Sequence, residues 1–169
     1  MKYSGGMNAS QNKYRSHISS QLSKEHAGSE VRVAGWVAAR RDHGGVIFID
    51  LRDRWGIVQL TFHPEKSQEV FSLAEKLKSE FVISVTGKVV ERPANMVNKN
   101  IASGEIEIEV TSLEVLNESA PLPFEIDHDG KVNEELRLQY RYLDLRRPAL
   151  QHILQQRAKF IDYIRQYMI

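Results

Sequence analysis

The chain contains no cysteine. That excludes disulfides, zinc–thiolate sites and cysteine nucleophiles, and it is compatible with a reducing compartment. No apolar run approaches the roughly 20 residues of a membrane span, and the start, MKYSGGMNASQNKYRS, carries no hydrophobic signal segment. The expectation is a cytoplasmic protein without a membrane partner. An excess of one charge is missing too: 23 Lys and Arg stand against 22 Asp and Glu, so bulk charge announces no polyanion. His17, His26, His43, His63, His128 and His152 are scattered and form no HExxH-type spacing. The HGG at residues 43–45 lacks the lysine and serine of a Walker loop. Asp42, Asp50 and Asp53 have metal-capable chemistry, but arginines are interleaved with them, and ion pairing is the simpler use. No catalytic constellation and no metal site is expected within this chain.

Charge is unevenly placed. Arg40, Arg41, Arg52 and Arg54 lie close together, Arg137, Arg141, Arg146 and Arg147 form a second group, and the stretch from Glu105 to Glu135 is mostly acidic. Such segregation suits one basic surface for an anionic ligand, and equally suits solvated faces with local ion pairs.

The hydrophobic pattern is more informative. Residues 1–20 are polar and rich in Gly, Ser and Asn, which predicts a flexible leader. QLSKEHAGSEV reads as a short helical turn capped by Ser23 and stopped at Gly28. VRVAGWVAARRD predicts a strand with Val31, Val33 and Val37 on one side, and Gly35 marks a bulge or a bend. VIFIDLRD and GIVQLTFH are the next two strands. PEKSQEVFSLAEKLKSE has helical spacing of Val70, Leu73, Ala74 and Leu77, with Pro64 and Glu65 at its start. FVISVTGKVVERP is a fourth strand with Phe81, Ile83 and Val85 inward. EIEIEVTSLEVLN is a fifth, alternating Ile106, Ile108 and Val110 with Glu105, Glu107 and Glu109. The order β-β-β-α-β-β predicts a mainly β fold over residues 21–117, a five-stranded Greek-key barrel of the OB type with its helix between strands 3 and 4.

If the aliphatic faces fill such a barrel, Phe48 and Gln59 point outward from adjacent strands. An outward aromatic offers a stacking platform to an unpaired base, and an amide offers a donor and an acceptor to a base edge. Packing of Phe48 beneath the leader fits the spacing equally well.

Residues 118–147 contain NESAPLPFEIDHDGKVN, poor in core residues, and are expected as a linker or hinge. NEELRLQYRYLDLRRP is expected as a helix, with Leu136, Tyr140 and Leu143 on one face. Pro148 starts a new helix at its first position, and Leu150, Ile153, Leu154, Ala158, Ile161, Ile164 and Met168 form a stripe along it. Within the chain that stripe has nothing to bury against. Residues 148–169 are therefore expected to be the start of a second, truncated domain.

GWVAARRDHGGVIFIDLRDRWGIVQL, SEFVISVTGKVVERP, ASGEIEIEV and LRLQYRYLDLRRP closely resemble the bacterial-type aspartyl-tRNA synthetases, from about Gln21 onward and in the same order. The resemblance implies an anticodon-binding barrel, a hinge, and a class II α+β catalytic domain. In that family Phe48 matches an aromatic that stacks on an anticodon base, and Gln59 and Arg41 match residues that contact anticodon bases or backbone. Glu107 matches an acid on the same face, and Asn95 and Asn98 lie in the loop beside the last anticodon base. Arg141, Arg146 and Arg147 become candidate hinge contacts to tRNA. The resemblance further implies an aspartate–tRNA ligase that uses L-aspartate, ATP and Mg²⁺ and works as a homodimer at full length, with no cofactor held by this part. In the family His43 goes with enzymes that also accept asparagine tRNA, whereas Asn95 leans toward the stricter type. Trp55 stands where relatives often carry an acid. The competing expectation is a free-standing OB module that binds single strands without catalysis.

Overall fold

The computed structural model describes residues 12–126 and 130–169; His128 and the first part of the expected leader lie outside the described residues. The chain forms two units, residues 1–120 and 121–169. In the first, five strands close into a barrel in the order β1-β2-β3-β5-β4: β1 Glu30–His43, β2 Val46–Arg52, β3 Ile57–Phe62, β4 Val82–Glu91 and β5 Ile106–Asn117. All neighbours pair antiparallel except β3 with β5. With helix α1, Gln68–Glu75, between β3 and β4, this is the OB arrangement.

The core is the inward face of that alternation. Val31, Val33, Val37, Ile47, Ile49, Leu51, Val58, Leu60, Phe62, Ile83, Val85, Ile106 and Ile108 are all buried in one cluster. A one-residue slip would turn any of these sets to solvent, so the pattern itself holds the register.

Gly44 and Gly45 join β1 to β2, both with positive φ, as the tightest hairpin turns require. The bulge in β1 is not at Gly35. Val37 pairs with Leu51 but Ala39 pairs with Asp50, so Ala38 is the extra residue. Gly35 serves a close approach instead, since a Cβ there would lie 2.2 Å from the Arg52 carbonyl oxygen.

Other departures have local causes. Helix α1 starts at Gln68, not Pro64, because the Ser67 hydroxyl accepts the Val70 N–H and caps it there. Phe71, not the exposed Leu73, packs on the core beside Val70. Residues 12–20, expected as leader, are held to the barrel. The Ser16 N–H donates to the Arg32 carbonyl at 2.8 Å, the Ser84 hydroxyl donates to the Tyr14 carbonyl at 2.8 Å, and Ile18 is buried. Among the described residues, Asp53 takes serine and backbone donors where an arginine is expected. It accepts from the Ser19 N–H and hydroxyl and from the N–H groups of Trp55 and Gly56, fixing the β2–β3 turn.

The second unit has a small core of its own. Phe124, Ile126 and Leu143 are buried against Leu122, Val132, Leu136 and Tyr140, so the stretch expected as a linker is packed. Its helices are α2 Glu134–Gln139, α3 Arg141–Asp144 and α4 Pro148–Met168. The expected single helix breaks at Tyr140, whose φ of −107° and ψ of 48° are not helical. Along α4, Ile153, Leu154, Ile161, Ile164 and Met168 are exposed.

Candidate nucleic-acid interface

The outer face of β1, β2, β3 and β5 carries the predicted residues in two rungs, because partners opposite each other across a ladder share a face. One rung runs Arg41–Phe48–Thr61–Glu109 and the next runs Ala39–Asp50–Gln59, with Glu107 following on β5. The Ala38 bulge is what brings Arg41 here. Without it Arg41 would stand opposite the inward-facing Ile47. Phe48 is half-buried between Arg41 and Thr61 and belongs to neither core cluster. Thr61 is buried, with its hydroxyl toward the Ile108 carbonyl at 3.4 Å.

Around Phe48 the charges alternate. Arg41 grips Asp50 with both Nη atoms, at 2.9 and 2.8 Å. Gln59 Nε2 donates to Glu107 Oε2 at 3.1 Å. Lys66 pairs with Glu109. Arg92 Nε lies 3.6 Å from Glu107 Oε2. This is a nearly neutral grid of donors and acceptors around one aromatic, rather than the basic stripe that charge clustering suggests. Such a surface is chemically better suited to hydrogen-bonding polar edges than to collecting phosphates.

Arg92 is the residue sequence reasoning misses. Its side chain is 5% exposed, and Nε and Nη2 are buried without a hydrogen-bond partner. Burial pushes its guanidinium below the usual range, against the pull of the Glu107 and Asp50 charges. Burial likewise raises the Glu107 carboxyl, the nearby Arg92 charge notwithstanding. A buried cation with two guanidinium nitrogens lacking hydrogen-bond partners, beside a reluctant carboxylate, is a site whose polar groups await partners. No periodicity marks Arg92. It comes beside Glu107 only through the β4–β5 register, where Val90 faces Glu107 and the Arg92 N–H meets the Glu105 carbonyl.

The remaining predicted residues lie elsewhere. His43 is exposed at the end of β1, against the Gly44–Gly45 turn. Asn95 is exposed in the turn Ala94–Met96, and Asn98 is exposed with its Oδ1 accepting the Asn100 N–H. Gly104 lets that loop fold tightly, since a Cβ would sit 1.7 Å from the Asn98 carbonyl. In the second unit Arg141 and Arg147 turn inward to Asp144, at 2.5 and 3.6 Å. Arg147 also donates to the Gly130 carbonyl, and Arg146 is half-buried. Arg40 pairs with Asp42. Trp55, 39% exposed, has the guanidinium groups of Arg15 and Arg54 near its ring. Among the described residues no three His, Asp or Glu side chains gather as a metal site, and no helix is long and apolar enough to cross a membrane.

The sequence pattern of the OB-fold nucleic acid binding domain matches residues 31–116, and that of the class II tRNA synthetases (D, K and N) matches residues 133–169. The chain belongs to the OB-fold nucleic acid binding domain family. Its curated relatives include aspartate–tRNA(Asp/Asn) ligases. The chain is 52% identical over 157 residues to the aspartate–tRNA(Asp/Asn) ligase of Rubrobacter xylanophilus, covering 93% of this chain and 26% of that one. It is 56% identical over 147 residues to the Corynebacterium glutamicum enzyme of the same name, covering 85% and 24%. It thus spans about a quarter of the length of the curated relatives it matches. Among solved structures, asparaginyl-tRNA synthetase from Pyrococcus horikoshii complexed with asparaginyl-adenylate superposes with a TM-score of 0.74 at 30% identity, over 88% of this chain and 32% of that one. An OBody bound to hen egg-white lysozyme superposes at 0.57 and 28% identity, over 64% of this OB-family chain and 95% of that one.

Proposed function

We propose that this chain is the anticodon-reading part of an aspartate–tRNA ligase. The observation that carries the proposal is Phe48, standing on the outer barrel face among Arg41, Asp50, Gln59, Glu107 and Arg92. An unstacked base lies on the Phe48 ring. The Gln59 amide and the Glu107 carboxylate meet the edges of that base and its neighbour, and Arg41 and Arg92 meet oxygen acceptors. Asn98 and Asn95 flank the last anticodon base. In the second unit Arg141, Arg146 and Arg147 belong to the hinge and are its candidates for contact with tRNA. The domain reading that goes with this is an OB barrel over 21–117, a hinge over 118–147 and the start of a catalytic domain from 148. The whole enzyme, in this reading, is a cytoplasmic homodimer that activates L-aspartate with ATP and Mg²⁺ and esterifies it to tRNA. The match of residues 133–169 to class II synthetases supports it over a free-standing single-strand module.

On tRNA choice the two loop positions disagree. His43, with a ring nitrogen to offer a base, favours acceptance of asparagine tRNA, and Asn95 favours rejection. We favour acceptance, supported by relatives that bear the name aspartate–tRNA(Asp/Asn) ligase.

Equilibrium titration of this chain with anticodon stem-loops tests both parts. The aspartate stem-loop should bind with a negative slope of log affinity on log salt, about −0.7 for each phosphate contacted. Replacing the stacked anticodon base by an abasic site should weaken binding at least about fivefold, the smaller end of a lost stack. The asparagine stem-loop, differing in the final base, should bind within about threefold of the aspartate one, a gap below about 1 kcal/mol. Equal binding of every sequence would remove the anticodon reading, and rejection of the asparagine stem-loop alone would remove the relaxed specificity.

A further inference from the structure

We propose that Asp50 is a gate on this face: in the free protein its carboxylate occupies the Arg41 fork, and an RNA gains Arg41 only by displacing it. The inference rests on the anticodon reading above and names a residue to which no role in RNA selection has been assigned here.

A carboxylate and a phosphate compete for the same planar pair of N–H groups on arginine. Asp50 holds both Nη atoms of Arg41 in that two-point geometry, at 2.8 and 2.9 Å. The partners differ in freedom. Asp50 is a short side chain within β2, 21% exposed, whereas the Arg41 side chain is long and 54% exposed. Arg41 is therefore the partner that swings away. Its departure does not strand the acid. Asp50 stands opposite Gln59, and the buried Arg92 guanidinium feels the Asp50 charge as well as that of Glu107. The field of a positive charge thus still acts on the carboxylate after Arg41 has gone.

The consequence is a threshold for binding. An RNA whose bases fit Phe48 and Gln59 gains stacking and edge contacts that offset the broken ion pair. An unrelated single strand brings only phosphates, and for these it must displace a carboxylate already in place. The ion pair costs the same whichever RNA breaks it, so at a given concentration it leaves bound only RNA with contacts beyond its phosphates.

The test compares poly-U with the aspartate anticodon stem-loop, using the unaltered chain, Asp50→Asn, Arg41→Ala and the double variant. Asp50→Asn keeps the side-chain shape and removes the charge. It should raise poly-U affinity about threefold to fivefold, as expected for an exposed ion pair, and steepen the salt slope by about 0.7, one further phosphate on a single strand. Stem-loop affinity should rise by a similar factor, since the same ion pair no longer has to be broken. Arg41→Ala in the Asp50→Asn background should abolish the poly-U gain. Unchanged or weaker poly-U binding by Asp50→Asn, with stem-loop binding intact in the unaltered chain, would overturn the gate alone and leave Asp50 as a residue that orients Arg41. Absence of stem-loop binding by the unaltered chain would overturn the anticodon reading and the gate with it. Should Asp50→Asn melt early, Asp50→Ser carries the same expectations.

Discussion

Ile49→Ala should lower the unfolding free energy of the barrel by about 2–5 kcal/mol, the range for truncating a fully buried branched aliphatic. Ile49 is completely buried in the main core, and its neighbours in the closed barrel are pinned by ladders on both sides, so the cavity has little room to collapse. Phe48→Ala, one residue away, should do the opposite. Its ring is half-buried on the outer face, so the cost in stability should be about 1 kcal/mol or less. RNA binding by that variant should instead weaken by about 1–3 kcal/mol, the worth of one base–aromatic stack. Denaturant melts and stem-loop titrations on the two variants give the four numbers. A Phe48→Ala protein that melts early beside an undisturbed Ile49→Ala protein would mean that the faces of β2 are exchanged.

The second large effect belongs to the other unit. Asp144 is 0% exposed and faces three arginines, with Arg137 Nε at 2.9 Å, Arg141 Nη1 at 2.5 Å and Arg147 Nη1 at 3.6 Å. Burial works to raise its carboxyl, but the Arg137 hydrogen bond and the charges of all three arginines prevail and hold it below the usual carboxylate range. Asp144→Asn leaves those cations without their counter-charge, one of them buried. Removing the acid of a buried pair costs about 3–5 kcal/mol; since Arg137 and Arg141 are partly solvated, the lower end, about 3 kcal/mol, is expected. The pH dependence has a definite sign. A carboxyl lowered by folding stabilises the native state above its unfolded value, and that contribution is lost as pH falls through the folded value. Amide-exchange protection over residues 134–147 should therefore drop in the variant at neutral pH. The unaltered protein should approach the variant in acid, at pH values below the ordinary carboxylate range. Equal protection at neutral pH would contradict the role given to Asp144.

The strands and their faces are legible in the sequence for one physical reason: the barrel has a single interior, so every strand must alternate. Ile47, Ile49 and Leu51 against Phe48 and Asp50 is that rule in its simplest form. What is not legible depends on pairing between distant segments. The bulge at Ala38 breaks the alternation that would turn Arg41 inward, and Gly35 draws attention away from it because a glycine serves close approach as readily as a bulge. Arg92 carries no periodic signal and gains its neighbour Glu107 from the β4–β5 register alone. The second core was hidden for a different reason. Leu122, Phe124 and Ile126 are interleaved with Pro121, Pro123 and acidic residues, a composition that reads as a loop until Leu136 and Leu143 supply the opposing face. Charge clustering was legible as local ion pairing, Arg40 with Asp42 and Arg41 with Asp50, whereas Lys66 and Arg92 meet Glu109 and Glu107 only through the fold.

The central claim is that RNA bases dock on the outer face of β1, β2, β3 and β5. The most direct measurement is the set of backbone amide shift changes in isotope-labelled chain titrated with the aspartate anticodon stem-loop. The account predicts the largest changes at Arg41, Phe48, Gln59, Arg92 and Glu107, with the 94–104 loop following, and little change at Arg32 and Ser84 on the β1–β4 side, where residues 14–16 already lie. Changes centred on Arg32 and Ser84 with Phe48 and Gln59 unmoved would contradict it.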